Sequence, residues 1–499
     1  MLTLLLLACS PRHVPQAPST LPQPVALFEA HLAAIGGADA VEAHQTRLTS
    51  GTVYVDAQEI AAPFSVAQAM PAEVFTTTQF PGGLRLQSGV SDGVAWARDP
   101  GARYRYDDER TAAVRRGSLH RAVHDAEGAA AMTVLERADF HGVDAWRVAL
   151  DYADGPDEEA WFSVSDGRLV GRTEWGDSEA VPEEVLLEDW VVFDGVAIAT
   201  RETRWMEGLV MRSEVAAVSV NQPVDTVIPA DLAPPPGPDI VLPLRRRGSH
   251  VILPVTMGGE ERMFLLDTGA NATVIDAGLA AELGMPAAGL VVPAGGAAGE
   301  IAGLRLQRAV PMRIGERDYP AVMVAVLDLE GLGLDGVLGA DVLSWHTIDI
   351  DPVDGELRLT DTAPDVRGLT AIPVRRFSAG LLQLTVMVAG TPVVAMLDLG
   401  ADVTVLSWKA ANLAGLTYGD GERDGALMGA DGRAVPLFAA AVDLELGALE
   451  LGEQRISIAN LDALSRHFGS EPAALVGQDL LVGRRVVIDY AGGILYLGG

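Results

Sequence analysis

An apolar run that delivers an aspartate into a glycine turn, with a second apolar run leaving it, has few ways to fold. Residues 263–275 read Met-Phe-Leu-Leu-Asp267-Thr268-Gly269-Ala270-Asn271-Ala-Thr273-Val-Ile275. A buried strand that ends in a carboxylate is costly unless the carboxylate is paired or hydrogen-bonded. The layout recurs at residues 393–406, Val-Val-Ala-Met-Leu-Asp398-Leu399-Gly400-Ala401-Asp402-Val-Thr404-Val-Leu406, with Leu399 standing where the first copy has Thr268. Two such elements in one chain predict two lobes that face each other across a pair of carboxylates.

Two carboxyl groups a few ångströms apart cannot both ionise. One keeps its proton while the other is charged, so the pair holds a water, acts on it as base and protonates a substrate as acid. The glycine after each aspartate lets the backbone turn and brings an amide to the carboxylate. The surroundings repeat as well. An apolar strand from His250, a Gly258-Gly259 turn and the strand to Asp267 read as a hairpin, as do the strand from Leu382, a turn at Ala389-Gly390 and the strand to Asp398. Downstream, Gly336-Val337-Leu338-Gly339 precedes a short helix and a hairpin over residues 347–359. Ala474-Leu475-Val476-Gly477 precedes a similar pattern over residues 486–497.

With these residues in view, positions from about 240 to 499 resemble two retropepsin-type aspartic peptidase domains in tandem, as in bacterial aspartyl protease family proteins. The matching residues are Asp267-Thr268-Gly269-Ala270 with Leu338-Gly339, and Asp398-Leu399-Gly400-Ala401 with Val476-Gly477. The resemblance implies two closed β lobes forming a pepsin-like pseudo-dimer within one chain. It implies Asp267 and Asp398 as catalytic residues and Thr268, Gly269, Leu399 and Gly400 as dyad support. It also implies a hairpin flap from each lobe. Gly295, Gly296 and Gly299 fall where the first flap is expected. Gly429, Asp431 and Gly432 fall where the second is, with Asp431-Gly432 as a hairpin turn. The family has a hydroxyl residue after each aspartate that braces the opposite lobe, and Leu399 departs from that pattern. Two functions follow: an aspartic endopeptidase acting on peptide or protein substrates, or a pseudo-peptidase that binds peptide or lipid without cleaving it.

The net charge of -32 disfavours nucleic acid and anionic membrane faces as partners. The single cysteine, Cys9, excludes an intrachain disulfide and a cysteine zinc site. No cofactor or metal is expected. Leu6-Leu7-Ala8-Cys9 ends a short apolar run and resembles a bacterial lipoprotein signal, which implies lipidation at Cys9 and a periplasm-facing place in the cell envelope. The proline-rich segment that follows reads as a tether.

Residues 1–24 are therefore expected to be signal and tether, 25–230 a first folded domain, 231–243 a linker, 244–362 lobe one and 363–499 lobe two. The fold class is mainly β, with an α+β antiparallel half-barrel ahead of the two lobes. In the first domain, helical spacing from Val25 to Ile35 stops at Gly36-Gly37, a short helix follows at residues 38–44, and strand patterns then dominate. The Ile35-to-Val41 opening and the Trp161-Phe162-Ser-Val164 strand resemble the periplasmic lipoprotein-carrier half-barrel. His120 and His124, four apart, are read as part of a solvated helix or loop rather than as metal ligands.

Overall fold

In the computed structural model the described residues are 21–498 except 92, 100–101, 107–116, 154–156, 176–181, 207–208, 227–234, 287–288, 297–298, 309, 320–322, 378–379, 417–421, 429–433 and 463–472. Strands dominate throughout, and three regions share the work.

The first region starts with helices Pro24–Ala34 and Ala38–Glu42, the first ending at Gly36 and Gly37, both with positive φ. A thirteen-stranded antiparallel sheet follows. Six consecutive strands form one meander and seven more form another. The two join where the first strand, Thr46–Val55, pairs with the last, Leu209–Val220. The outermost strands, Ala102–Tyr106 and Ala131–Phe140, do not pair with each other among the described residues, so the sheet stays open. Leu27 and Phe28 of the first helix pack on Val148, Leu150 and Phe162. His31, from the same helix, accepts a hydrogen bond from the Leu169 amide at 3.0 Å. Burial pushes its pKa down to about 4.

Helix Arg121–Gly128 is tied to the sheet by a buried ionic cluster. Arg121 reaches Asp125 and Glu158, and Arg172 reaches the same two carboxylates. Charges this deep persist because each has partners of the opposite sign. His120 caps this helix and is buried, its Nε2 donating to the His44 carbonyl at 2.7 Å, while His124 is exposed. His120 is thus a core histidine rather than the solvated residue its spacing suggested. No group of metal-binding side chains occurs among the described residues.

Each lobe has its own sheet, and both share a third. The shared six-stranded sheet runs Ile240–Pro243, Glu356–Thr360, Thr347–Asp351, Val486–Asp489, Ile494–Leu497, Thr370–Pro373. Ile350 pairs with Val486 at the seam between the lobes. This corrects one boundary. Residues 240–243 are not linker, because Ile240 is 1% exposed and the segment completes the sheet against Glu356–Thr360. Their proline-rich approach hid an edge strand. The linker end is pinned nearby, where the buried Arg317 donates to the Gly237 carbonyl at 2.7 Å and to Asp361 at 2.8 Å. His346 bonds both Asp361 and the Tyr319 hydroxyl.

The first region also docks on lobe one. Val55, Ile60, Ala62, Phe80 and Leu84 form one buried cluster with Leu290, Leu306 and Ala325. Fully burying side chains of this size contributes about 1.5–3 kcal/mol each for the larger ones. Within the contact, the Gln58 side-chain amide donates to the Val291 carbonyl at 2.5 Å and accepts from the Val291 amide at 2.9 Å. Val291 lies in strand Leu290–Gly296, which pairs with Gly299–Arg308 as the hairpin expected for the first flap.

Candidate active site

Strand Glu260–Leu266 carries Asp267 and strand Thr391–Leu397 carries Asp398. The two ends are built alike. The Asp267 amide donates to the Leu338 carbonyl at 3.1 Å, and the Asp398 amide to Val476 at 3.0 Å. Ala340 donates to Ala270 at 2.8 Å, and Gln478 to Ala401 at 2.9 Å. Threonines lock each loop from behind. The Thr273 hydroxyl donates to Asp341 at 2.7 Å and accepts from the Gly339 amide at 3.3 Å. Thr404 donates to Asp479 at 2.7 Å and accepts from Gly477 at 3.1 Å. A side chain at Gly339 or Gly477 would collide with the backbone of Ala272 or Val403, 2.6 Å away.

The two carboxyls meet. Each lies against the glycine that follows the other. The Gly269 amide donates to Asp267 at 2.7 Å and the Gly400 amide to Asp398 at 2.9 Å. The glycines are required for a reason beyond turning. A Cβ on Gly269 would stand 2.5 Å from the Asp398 carboxyl carbon, and one on Gly400 would stand 2.5 Å from that of Asp267. Neither has positive φ, so close approach by the opposite aspartate, not backbone freedom, dictates glycine here.

Both aspartates are half-buried. Burial raises the pKa of both above the ordinary carboxylate range, and for Asp398 the neighbouring Asp267 charge raises it further. Asp267 is partly relieved by amides from Gly269, Gly400 and Ala270. Two carboxyls this close hold one proton between them.

Thr268 is fully buried and reaches across to the other lobe. Its hydroxyl donates to the Leu397 carbonyl at 2.9 Å and accepts from the Leu399 amide at 3.1 Å. Leu399, equally buried in the main core, has no group to return the contact. Sequence reasoning missed Gln478, whose buried side chain donates to the Leu399 carbonyl at 3.0 Å. The available signal was that Gln478 takes the place after Val476-Gly477 that Ala340 holds in the first copy. It also missed Tyr490, whose buried hydroxyl has no hydrogen-bond partner among the described residues. Burial and then the Asp267 charge push its pKa up.

In the hairpin at the first expected flap position, Gly296 lies opposite Gly299 at the hairpin end, and Gly295 precedes it in the strand. At the second position, strands Glu422–Met428 and Ala434–Leu446 pair with Met428 opposite Ala434. Gly429, Asp431 and Gly432 lie outside the described residues, as does Cys9.

The chain is thus mainly β, with two lobes and an aspartate from each meeting at their seam. The comparisons agree: residues 253–342 and 384–480 each match the family described as aspartyl protease, so two such segments lie in tandem. A retropepsin-like aspartic protease from Rickettsia conorii is 19% identical, covering 26% of this chain and 89% of its own, with a TM-score of 0.20. A LolA superfamily protein from Nitrosomonas europaea is 12% identical over 42% of this chain and 99% of its own, with a TM-score of 0.31. A DUF1329 family protein from Desulfovibrio piger is 10% identical over 40% of this chain and 94% of its own, with a TM-score of 0.29. None of the curated proteins matches the chain.

Proposed function

We propose that the chain is an aspartic endopeptidase whose dyad, Asp267 and Asp398, is made within one molecule. One observation carries this reading: each carboxyl is held by the amide of a glycine that the opposite aspartate makes obligatory, so the two carboxyls stand side by side. Asp267, the carboxylate, takes a proton from a water as that water adds to the peptide carbonyl. Asp398 gives its proton to the carbonyl oxygen, forming a tetrahedral diol. The carbon–nitrogen bond then breaks. Asp267 returns its proton to the leaving amine and Asp398 recovers one from a diol hydroxyl, so the pair ends as it began.

The test is digestion of a diverse peptide library by the full-length protein beside Asp267→Asn and Asp398→Asn. Cleavage by wild type that both variants lose supports the reading. Peptide binding without cleavage by wild type selects the pseudo-peptidase, which the buried Leu399 favours.

We further infer from the Leu6-Leu7-Ala8-Cys9 box that the protein is a lipid-anchored component of a bacterial envelope. One acyl chain anchors weakly, so stable attachment needs the several chains of a lipoprotein. Cys9→Ala is expected to move the protein from the membrane to the soluble fraction. An unchanged distribution refutes the anchor.

A further inference from the structure

The brace on the dyad is one-sided in a second place. His250 opens strand His250–Met257 in lobe one, and its Nε2 lies 2.8 Å from the Gly400 carbonyl and 3.3 Å from Asp402 Oδ1, both in lobe two. Two oxygens can be met only by a nitrogen that carries hydrogen, so Nε2 donates whatever the charge on the ring. Asp402 is itself held by the Ser249 hydroxyl. Arg246 fixes the turn by donating to the Ser249 carbonyl, and Arg247 is the cross-strand neighbour of His250.

Gly400, whose carbonyl His250 holds, donates its own amide to the Asp398 carboxyl at 2.9 Å, and the Ala401 amide, in the same peptide unit as that carbonyl, donates to the Asp398 main-chain carbonyl at 3.3 Å. His250 thus fixes the residue whose amide holds the Asp398 carboxyl. The pseudo-symmetric partner of His250, at the start of strand Leu381–Val388, is Leu381. So lobe one sends both Thr268 and His250 to the Asp398 loop, while lobe two presents Leu399 and Leu381 in return.

We propose that His250 is a positioning residue for the dyad, holding the Gly400 carbonyl so that the Gly400 amide keeps the Asp398 carboxyl in its working orientation. This rests on the peptidase reading above. It gives the two loops unequal support: two side chains of lobe one hold the Asp398 loop, and leucines stand at the matching positions of lobe two.

The test compares full-length wild type with His250→Leu, which copies the opposite lobe, and His250→Gln, whose amide can reach Gly400. Cleavage of a peptide found in the library is followed against pH. The dyad is titrated in parallel by carbon-13 NMR of aspartate-labelled protein, assigned with Asp398→Asn. Losing the His250 donor is expected to lower kcat of the Leu variant by roughly three- to tenfold and leave KM within about twofold. The upper dyad pKa should rise, because a carboxylate whose amide donor is displaced favours its neutral form. The Gln variant should restore both. If His250→Leu does not fold, His250→Asn, polar but too short to reach Gly400, replaces it. Unchanged kcat and unchanged titration overturn the proposal. If wild type cleaves nothing, the peptidase reading fails and the titration alone decides: a dyad that titrates identically with and without His250 overturns it, and a raised upper pKa upholds the brace.

Discussion

Replacing Thr268 by valine removes one oxygen and keeps the shape. The oxygen satisfies two groups of the other lobe, the Leu397 carbonyl and the Leu399 amide, at a position with no solvent exposure. Neither can turn to water, and the methyl that replaces the hydroxyl can neither donate nor accept. Leaving a buried polar group unsatisfied costs about 1–3 kcal/mol, so two cost about 2–6 kcal/mol. That cost falls between the lobes, directly beneath Asp398. The loop can lower it only by shifting, and a shift of an ångström at reacting groups costs on the order of a hundredfold in rate. Calorimetry of the full chain, where domains can unfold in separate transitions, should show the protease lobes melting earlier and the first region unchanged. Peptide cleavage should show the fall in kcat. A variant within about 0.5 kcal/mol of wild type and equally active refutes the argument, because the brace would then carry no load.

Leu399→Thr restores the missing hydroxyl. It should raise kcat while lowering the melting temperature, since a fully buried leucine is lost from the core; a folded variant with unchanged kcat would mean that the Asp267 loop needs no brace. The aspartates themselves burden the fold. Burial raises their folded pKa values, so the stability they allow is complete at pH values below an unfolded carboxyl and is lost as pH rises through the folded values. Asp398→Asn should therefore stabilise the lobes at neutral pH and hardly at all in strong acid, which melting at several pH values will check. His31 works in the opposite sense. Its pKa is lowered to about 4, so its contribution is present above about 6.5 and is lost as pH falls toward that lower value, up to about 3 kcal/mol. His31→Gln should flatten the acid sensitivity of the first region; an unchanged profile would assign that sensitivity to other groups.

The doubled aspartate element was legible because its signal is local. Apolar run, aspartate, glycine and apolar run lie within a dozen or so residues, and the hairpins around them follow the strand period of two. Thr268 and the loss at Leu399 were legible by comparing one copy with the other. What stayed hidden depends on contacts between distant segments. Nothing in the run beginning at His250 says that its ring ends on the Gly400 carbonyl. Gln478 stands out only once its partner, the Leu399 carbonyl 79 positions earlier, is known. The true cause of glycine at 269 and 400 is the opposite aspartate, 129 and 133 positions away in sequence and therefore invisible to a local reading. Ile240–Pro243 failed for a related reason, since an edge strand is recognised by the strand it completes.

The docking of Gln58 on Val291 has a mechanical consequence. A hairpin is a cantilever, and its free travel depends on where it is clamped. Here the root of the Leu290–Gly296 hairpin is bolted to the first region by two hydrogen bonds with the Gln58 side chain and an apolar seat. Bending is confined to the outer span toward Gly296 and Gly299, or else the whole first region swings with the root. In the second case the thirteen-stranded sheet is a lever arm, and a load applied to it is felt at the root of this hairpin.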